Sequence, residues 1–220
     1  MTKILQHMTI PSHHLENSQD ILEKYITITS FPPVILASKS PRRQELLQQM
    51  DINFRVVLKE VDESFPAFLQ PAEVAVYIAR KKAEAFDDSV EDGEIVITAD
   101  TIVTIDGLIL GKPEDEQDAF RILSLLSGKT HEVITGVAFL YKHEVHAFYD
   151  STTVYFRELS DDDKWFYIRN YKPFDKAGAY GIQEWIGHAA IEKIEGSYNN
   201  VVGLPTFRVY QELQKLLTGK

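Results

Sequence analysis

The residues best suited to chemistry stand in a few short stretches. The first is Ala37-Ser38-Lys39-Ser40-Pro41-Arg42-Arg43, between an apolar run and a helix start. Two hydroxyls, exposed backbone N–H groups, the positive end of a helix dipole and two guanidinium forks converge there, and these are the donors that hold a polyphosphate. A serine-capped helix start with Arg42 and Arg43 in solvent accounts for the same residues. The second stretch is Thr98-Ala99-Asp100-Thr101. An acid closing an apolar strand is partly desolvated, and the crevices of open α/β sheets lie at such strand ends. Asp100 could hold a divalent cation there or orient a water as base; it could also be an ordinary turn aspartate.

Two lysines and one acid come next. Lys82 lies in a helical stretch, and Gly111-Lys112-Pro113 fixes a cation just after a hairpin. Glu63, in Val61-Asp62-Glu63-Ser64, is either a surface charge or a second carboxylate for a metal. In Asp175-Lys176-Ala177-Gly178-Ala179-Tyr180-Gly181-Ile182-Gln183, small residues allow a flat ligand or a phosphate close to the backbone. The Gln183 amide both donates and accepts, which matches the N3–H and O4 edge of uracil or thymine; the alternative is a solvated side chain on a structural loop. A polar loop from Gly196 to Pro205 precedes the last helix.

The elements that must position these residues alternate along the chain. Apolar runs predict strands over Val34–Ala37, Phe54–Leu58 and Ile95–Ala99, the last ending just before Asp100. Two β-rich runs, Thr101–Ile105 and Leu108–Leu110, flank Asp106-Gly107 and predict a hairpin. Long strands are expected over Val133–Tyr141 and Val145–Phe156. Helices are expected over Pro41–Met50, Pro71–Phe86, Asp115–Leu126, Asp161–Asn170 and Thr206–Leu217. Residues 177–202 read as irregular. The expectation is a mixed α/β sheet with flanking helices, in two lobes around a cleft.

Composition removes many function classes. A chain of 220 residues with 44% apolar content can bury an ample core. With no cysteine, disulfides, thiolate catalysis, Cys-ligated zinc and iron–sulfur clusters are excluded. That usage fits a reducing compartment, and the expected location is the cytoplasm. No apolar run approaches the ~18 residues of a membrane span. The formal net charge is −10, with 16 acids and 4 bases between residues 60 and 118. Such a field repels nucleic acid and anionic lipid, so a phosphate ligand needs a local cluster of donors, a metal ion, or both.

Residues 1–33 form a separate N-terminal extension, a short helix or a flexible segment, ahead of one catalytic domain over 34–220. They match neither a signal peptide nor a transit peptide. Ile21, Leu22, Tyr25 and Ile26 could line one helix face, capped by Asn17 or Ser18, before Pro32-Pro33 breaks the chain. His7, His13 and His14 lack a fourth ligand at metal-binding spacing.

In sequence order, ILASKSPRRQELL, ADTIV with Lys112-Pro113, LSGKTHEVITGV, DKAGAYGIQ and GSYNNVVGLP closely resemble the Maf family of septum-formation-type nucleoside triphosphate pyrophosphatases. The resemblance runs from about Val34 to about Leu217. It implies a two-lobed α/β fold of the Maf and ITPase kind, often a homodimer. It also implies hydrolysis of a nucleoside triphosphate to monophosphate and pyrophosphate with a divalent cation, Mg²⁺ or Mn²⁺. By resemblance Asp100 is the proton acceptor, and Arg42, Thr101 and Gln183 match the positions that mark the dTTP/UTP branch. Ser38, Arg43, Glu63, Lys82 and Lys112 match polar positions lining the family's cleft; of these, Ser38, Arg43, Lys82 and Lys112 are expected to bind phosphate, and Glu63 is expected to hold the metal with Asp100. The chain departs from some relatives at Gly111, where they carry an acid. A nucleotide sensor that binds partners in cell division, without turnover, is the alternative reading.

Overall fold

The computed structural model describes residues 31–91 and 93–219. The expected helix around Ile21 to Ile26 and the histidines His7, His13 and His14 lie outside the described residues. Among the described residues seven strands form one sheet: β1 (Val34–Leu36), β2 (Phe54–Val56), β3 (Ile95–Ile105), β4 (Leu108–Leu110), β5 (Thr130–Tyr141), β6 (Glu144–Phe156) and β7 (Ile191–Glu195). Their order is β2-β1-β3-β5-β6-β7, with β4 added beside β3. The β2-β1-β3 part is parallel and the rest antiparallel. Around the sheet lie α1 (Pro41–Gln49), α2 (Pro71–Glu84), α3 (Glu116–Leu126), α4 (Asp161–Tyr171), α5 (Trp185–Ala189), α6 (Tyr198–Val202) and α7 (Thr206–Thr218). Parallel strands need a crossover, and α1 supplies it between β1 and β2.

The central strand corrects one expectation. Asp100 does not close a strand; it stands inside the 11-residue β3, opposite Gly136 of β5. The β-branched run continues through Thr101–Ile105, and the ladder to β5 holds the backbone extended past the acid. What ends here is β1, whose register with β3 stops at Ile97, while β4 pairs only from Val103. Among the described residues, Thr98 to Ile102 of this strand therefore have β5 on one side and no strand on the other.

Helix α2 lies unusually close over this region. Ala75, Ala79 and Ala83, spaced by four and fully buried, form a smooth face toward the sheet. Under it, Gly136 has no side chain; an added Cβ would stand 2.3 Å from the Ala75 carbonyl atoms. Thr98 Oγ1 donates to the Ala79 carbonyl at 2.6 Å and ties helix to strand. The helix N-terminus is fixed by Pro71 in its first turn and by a capping box in which Glu73 accepts from the Gln70 N–H at 2.8 Å.

Two cores flank the gap. One joins Ile35, Val96, Ala138 and Leu140 to Ala79, Ala83 and Phe86. The other joins Val103 and Val133 to Leu123 and Leu126 of α3, Tyr167 and Ile168 of α4, and Ile186 of α5. β3 enters both, with Val96 in the first and Val103 in the second. This is the two-lobed arrangement expected from the sequence.

The hairpin turns differ in legibility. Asp106 and Gly107 both take positive φ, 51° and 78°, as an Asp-Gly turn should. Lys142 and His143 do the same between β5 and β6, at 52° and 64°, with no glycine to announce it. Residues 177–202 are not irregular: a 3₁₀ turn at Ala177–Ala179, α5, β7 and α6 fill them. β7 was hidden by its charges, since Glu192, Lys193 and Glu195 are exposed on a sheet edge, where charge blocks further pairing.

Candidate active site

The gap beside β3 opens into a cleft of about 1110 Å³. All nine candidates from the sequence line it: Ser38, Arg42, Arg43, Glu63, Lys82, Asp100, Thr101, Lys112 and Gln183. Asp100 and Thr101 are consecutive in a strand, so their side chains leave opposite faces of the sheet. Because the strand edge is free there, both still reach the same cleft.

On the α2 face, Lys82 Nζ lies 2.8 Å from Asp100 Oδ1 and 2.9 Å from Glu63 Oε1. Lys82 is in the last turn of α2, and the tight helix–sheet contact brings it to the strand. Asp100 is largely enclosed, its side chain 15% exposed, whereas Glu63 is 54% exposed. Burial pushes the Glu63 carboxyl up, but the Lys82 hydrogen bond and charge, with Lys112 and Arg43, outweigh it and hold it below the usual carboxylate range. Glu63 sits in a turn closed by its neighbours. The Ser64 N–H and hydroxyl donate to Asp62 at 3.0 and 2.5 Å, and Lys81 of α2 reaches Asp62 at 3.2 Å. Those contacts bring the Asp62 carboxyl down to about 2, Ser64 contributing most.

On the opposite face, Arg43 is held from three sides. Its Nε donates to the Gly203 carbonyl at 2.8 Å, Nη1 to Ser38 Oγ at 3.3 Å and Nη2 to Thr101 Oγ1 at 3.0 Å. Three of its five N–H groups are thereby engaged among the described residues, which leaves two to meet a ligand. Burial pulls the Arg43 pKa below its ordinary value, with Asp100 opposing. Ser40 caps α1 by accepting from the Arg43 N–H at 3.4 Å, and Ser38 accepts from the Ser40 N–H at 3.2 Å. The serine-capped start and the converging donors are thus the same structure, with Arg43 turned inward.

The rim is built by Arg42 and the 175–184 segment. Arg42 Nη1 lies 3.0 Å from Asp175 Oδ2. Buried Lys176 pairs with Asp175 at 2.7 Å and Glu184 at 3.0 Å. Tyr167 donates to Glu184 and accepts from the Gly181 N–H at 3.0 Å. Burial alone would raise the Asp175 carboxyl, but the Lys176 and Arg42 hydrogen bonds bring it down. Gln183 rides on this braced turn with its side chain exposed, and exposed Lys112 faces the cleft with its charge felt by Glu63. Sequence reasoning quoted Asp175 and Lys176 without giving them a role. Thr135 and Asn200, behind Thr101, were likewise quoted within their motifs without a role, because their meeting depends on strand register and on the return of the chain at residue 200.

Among the described residues no three His, Cys, Asp or Glu side chains converge to cage a metal. Asp100 and Glu63 do converge, on the Lys82 ammonium. Two carboxylates that share one cation offer the donor set of a hard dication completed by water and phosphate oxygens. No described helix is long and apolar enough to cross a membrane.

Comparison with known proteins places the chain. The family model described as "Maf-like protein" matches residues 33–216. A dTTP/UTP pyrophosphatase of Porphyromonas gingivalis is 47% identical over 198 residues, 89% of this chain and 96% of that protein. One from Flavobacterium psychrophilum is 52% identical over 177 residues, 80% and 91% of the two chains. One from Phocaeicola vulgatus is 50% identical over 196 residues, 89% and 98%. Among solved structures, a HAM1 protein from Coxiella burnetii overlays with a TM-score of 0.48 and 13% identity, covering 86% of this chain and 100% of that one. Nothing further rests on that slight likeness. The family model and relatives at this identity and coverage are sufficient: the chain belongs to the Maf-like protein family.

Proposed function

We propose that the protein hydrolyses nucleoside triphosphates, dTTP and UTP above others, to the monophosphate and pyrophosphate. The observation that carries the proposal is the free edge of β3. There one enclosed carboxylate faces a cleft whose walls present Arg43, Lys82 and Lys112. The names of the relatives supply the substrate class.

In this reading Asp100 orients a water against the α-phosphorus and accepts its proton. Lys82 occupies Asp100 Oδ1 and leaves the second oxygen for that water. The water oxygen bonds to the α-phosphorus as the bridge to the β-phosphorus breaks, and the bridging oxygen leaves with pyrophosphate. Arg42, Arg43, Lys82 and Lys112 stabilise the charge that grows on the leaving group, and Ser38 keeps the Arg43 fork aimed. A general base contributes ~10²–10⁴-fold, so most of the acceleration falls to cation positioning. Gln183 is the base reader, its amide matching the donor–acceptor edge of uracil or thymine. Asp100 and Glu63 would hold a Mg²⁺ or Mn²⁺ ion, which when bound neutralises phosphate charge in a molecule of net charge −10. The cytoplasm, reducing and rich in nucleoside triphosphates, suits a cysteine-free enzyme of this kind.

The test is a nucleotide panel with Mg²⁺ or Mn²⁺, with and without a chelator, read by product identification. UMP and pyrophosphate from UTP, lost on chelation and restored by metal, is the expected result. UDP and phosphate would mean a different hydrolase, and binding without turnover would mean a sensor.

A further inference from the structure

A main-chain carbonyl sets the direction of a hydrogen-bond chain that ends on Arg43. The Asn200 carbonyl can only accept, so Thr135 Oγ1 donates to it at 3.0 Å. A hydroxyl has one proton, and that of Thr135 is spent. At the 2.9 Å contact between the two hydroxyls, Thr101 must therefore be the donor. The proton of Thr101 is spent in turn, and its oxygen accepts from Arg43 Nη2 at 3.0 Å. The order runs from guanidinium to Thr101 to Thr135 to carbonyl, with every member in its required role.

Both ends of the chain are anchored. Asn200 is fully buried, and its amide donates at 2.9 Å to the Val133 carbonyl and at 2.9 Å to Thr152 Oγ1. The Gly203 N–H donates to the same Asn200 carbonyl at 3.0 Å, and the Gly203 carbonyl accepts from Arg43 Nε at 2.8 Å. One short segment, 200–203, thus holds the guanidinium along two routes, of which Thr101–Thr135 is one. Chains of this kind polarise one another, so loss of a middle member weakens the whole.

We propose that Thr135, buried behind the cleft, is a positioning residue for Arg43, and that Thr101 acts through the same chain instead of donating a hydrogen bond to the base. The inference rests on the pyrophosphatase reading and gives Thr101 its route of action. Thr101 then affects how the phosphates are held, and the choice between bases is left to Gln183.

Four proteins test it: wild type, Thr135→Val, Thr135→Ser and Thr101→Val. Each is assayed for kcat and KM with UTP and with CTP, for pyrophosphate binding by calorimetry and for melting temperature. Thr135→Val should lower kcat/KM for both nucleotides alike by about tenfold, with pyrophosphate binding weakened to match, while Thr135→Ser stays within about twofold of wild type. Thr101→Val should show the same uniform loss and an unchanged UTP:CTP ratio. A Thr135→Val protein with wild-type kcat/KM overturns the proposal. So does a changed UTP:CTP ratio in Thr101→Val, which applies even if Thr135→Val fails to fold. If the wild type turns over no nucleotide, the pyrophosphatase reading falls separately. A crystal structure of Thr135→Val or Thr101→Val then decides the positioning claim, Arg43 displaced supporting it and Arg43 unmoved refuting it.

Discussion

Lys82 Nζ lies 2.8 Å from Asp100 Oδ1, with the two side chains 18% and 15% exposed. The ammonium is the ion-pair partner of this enclosed carboxylate, and Glu63 shares the same ammonium at 2.9 Å. Removing the Asp100 charge leaves Lys82 paired with Glu63, so the fold should tolerate it. Asp100→Asn should lower kcat at least about 100-fold with the melting temperature nearly unchanged. Steady-state kinetics beside a thermal melt checks both; near-normal turnover removes Asp100 from the mechanism.

Gln183 is exposed on a turn braced by Lys176, Glu184 and Tyr167. Truncating it disturbs no packing. Gln183→Ala should reduce the preference for UTP over CTP about tenfold, the worth of a hydrogen bond lost to one base and not the other. Competition between the two nucleotides measures it, and an unchanged ratio refutes the assignment.

Gly136 stands opposite Asp100 on β5, beneath Ala75 of α2. A methyl group there would lie 2.3 Å from backbone carbonyl atoms of the helix, which cannot rotate away. Gly136→Ala should lift α2 from the sheet, cost on the order of 3 kcal/mol of stability and draw Lys82 away from Asp100. Denaturant unfolding and kcat should fall together. A variant as stable and active as wild type would contradict the close helix–strand contact.

His131 is buried, with Nε2 2.8 Å from the Tyr180 hydroxyl and its ring edge-on to Phe156. Burial pulls its pKa from 6.5 down to about 4. Above pH 6.5 both folded and unfolded chains carry it neutral. Below that the unfolded chain takes a proton that the folded one refuses, so stability falls with pH until about 4 and flattens beneath it. By pH 5 the loss should be about 2 kcal/mol. Comparing urea unfolding at pH 7.5 and pH 5, the drop in wild type should exceed that in His131→Phe by this amount; equal drops would show that His131 does not titrate in this way.

Much of the fold was legible because its signals are local. The Ser40-Pro41 start of α1, the Asp106-Gly107 turn and the apolar faces of α2 and α3 each depend on residues within a turn or two. The edge strand β7 was not legible, because its charges serve the sheet edge and mask the pairing pattern. The Lys142-His143 turn was not legible either, because the long pairing of β5 with β6 imposes a conformation that its residues do not favour.

The same division runs through the site. The types and local setting of Ser38, Arg42, Arg43, Asp100 and Lys112 made them candidates for a phosphate-binding, carboxylate-centred chemistry beside plainer structural readings, since charge and hydrogen-bonding capacity belong to the side chains themselves, and the family resemblance chose between the two. Which of them meet was decided by tertiary structure alone. Where β1 stops and β4 begins opens an edge at Asp100, alanines over Gly136 set Lys82 against it, and the return of the chain at Asn200 turns Thr101 toward Arg43. Those relations join residues from 18 to 65 positions apart, and only strand register and packing carry information across such distances.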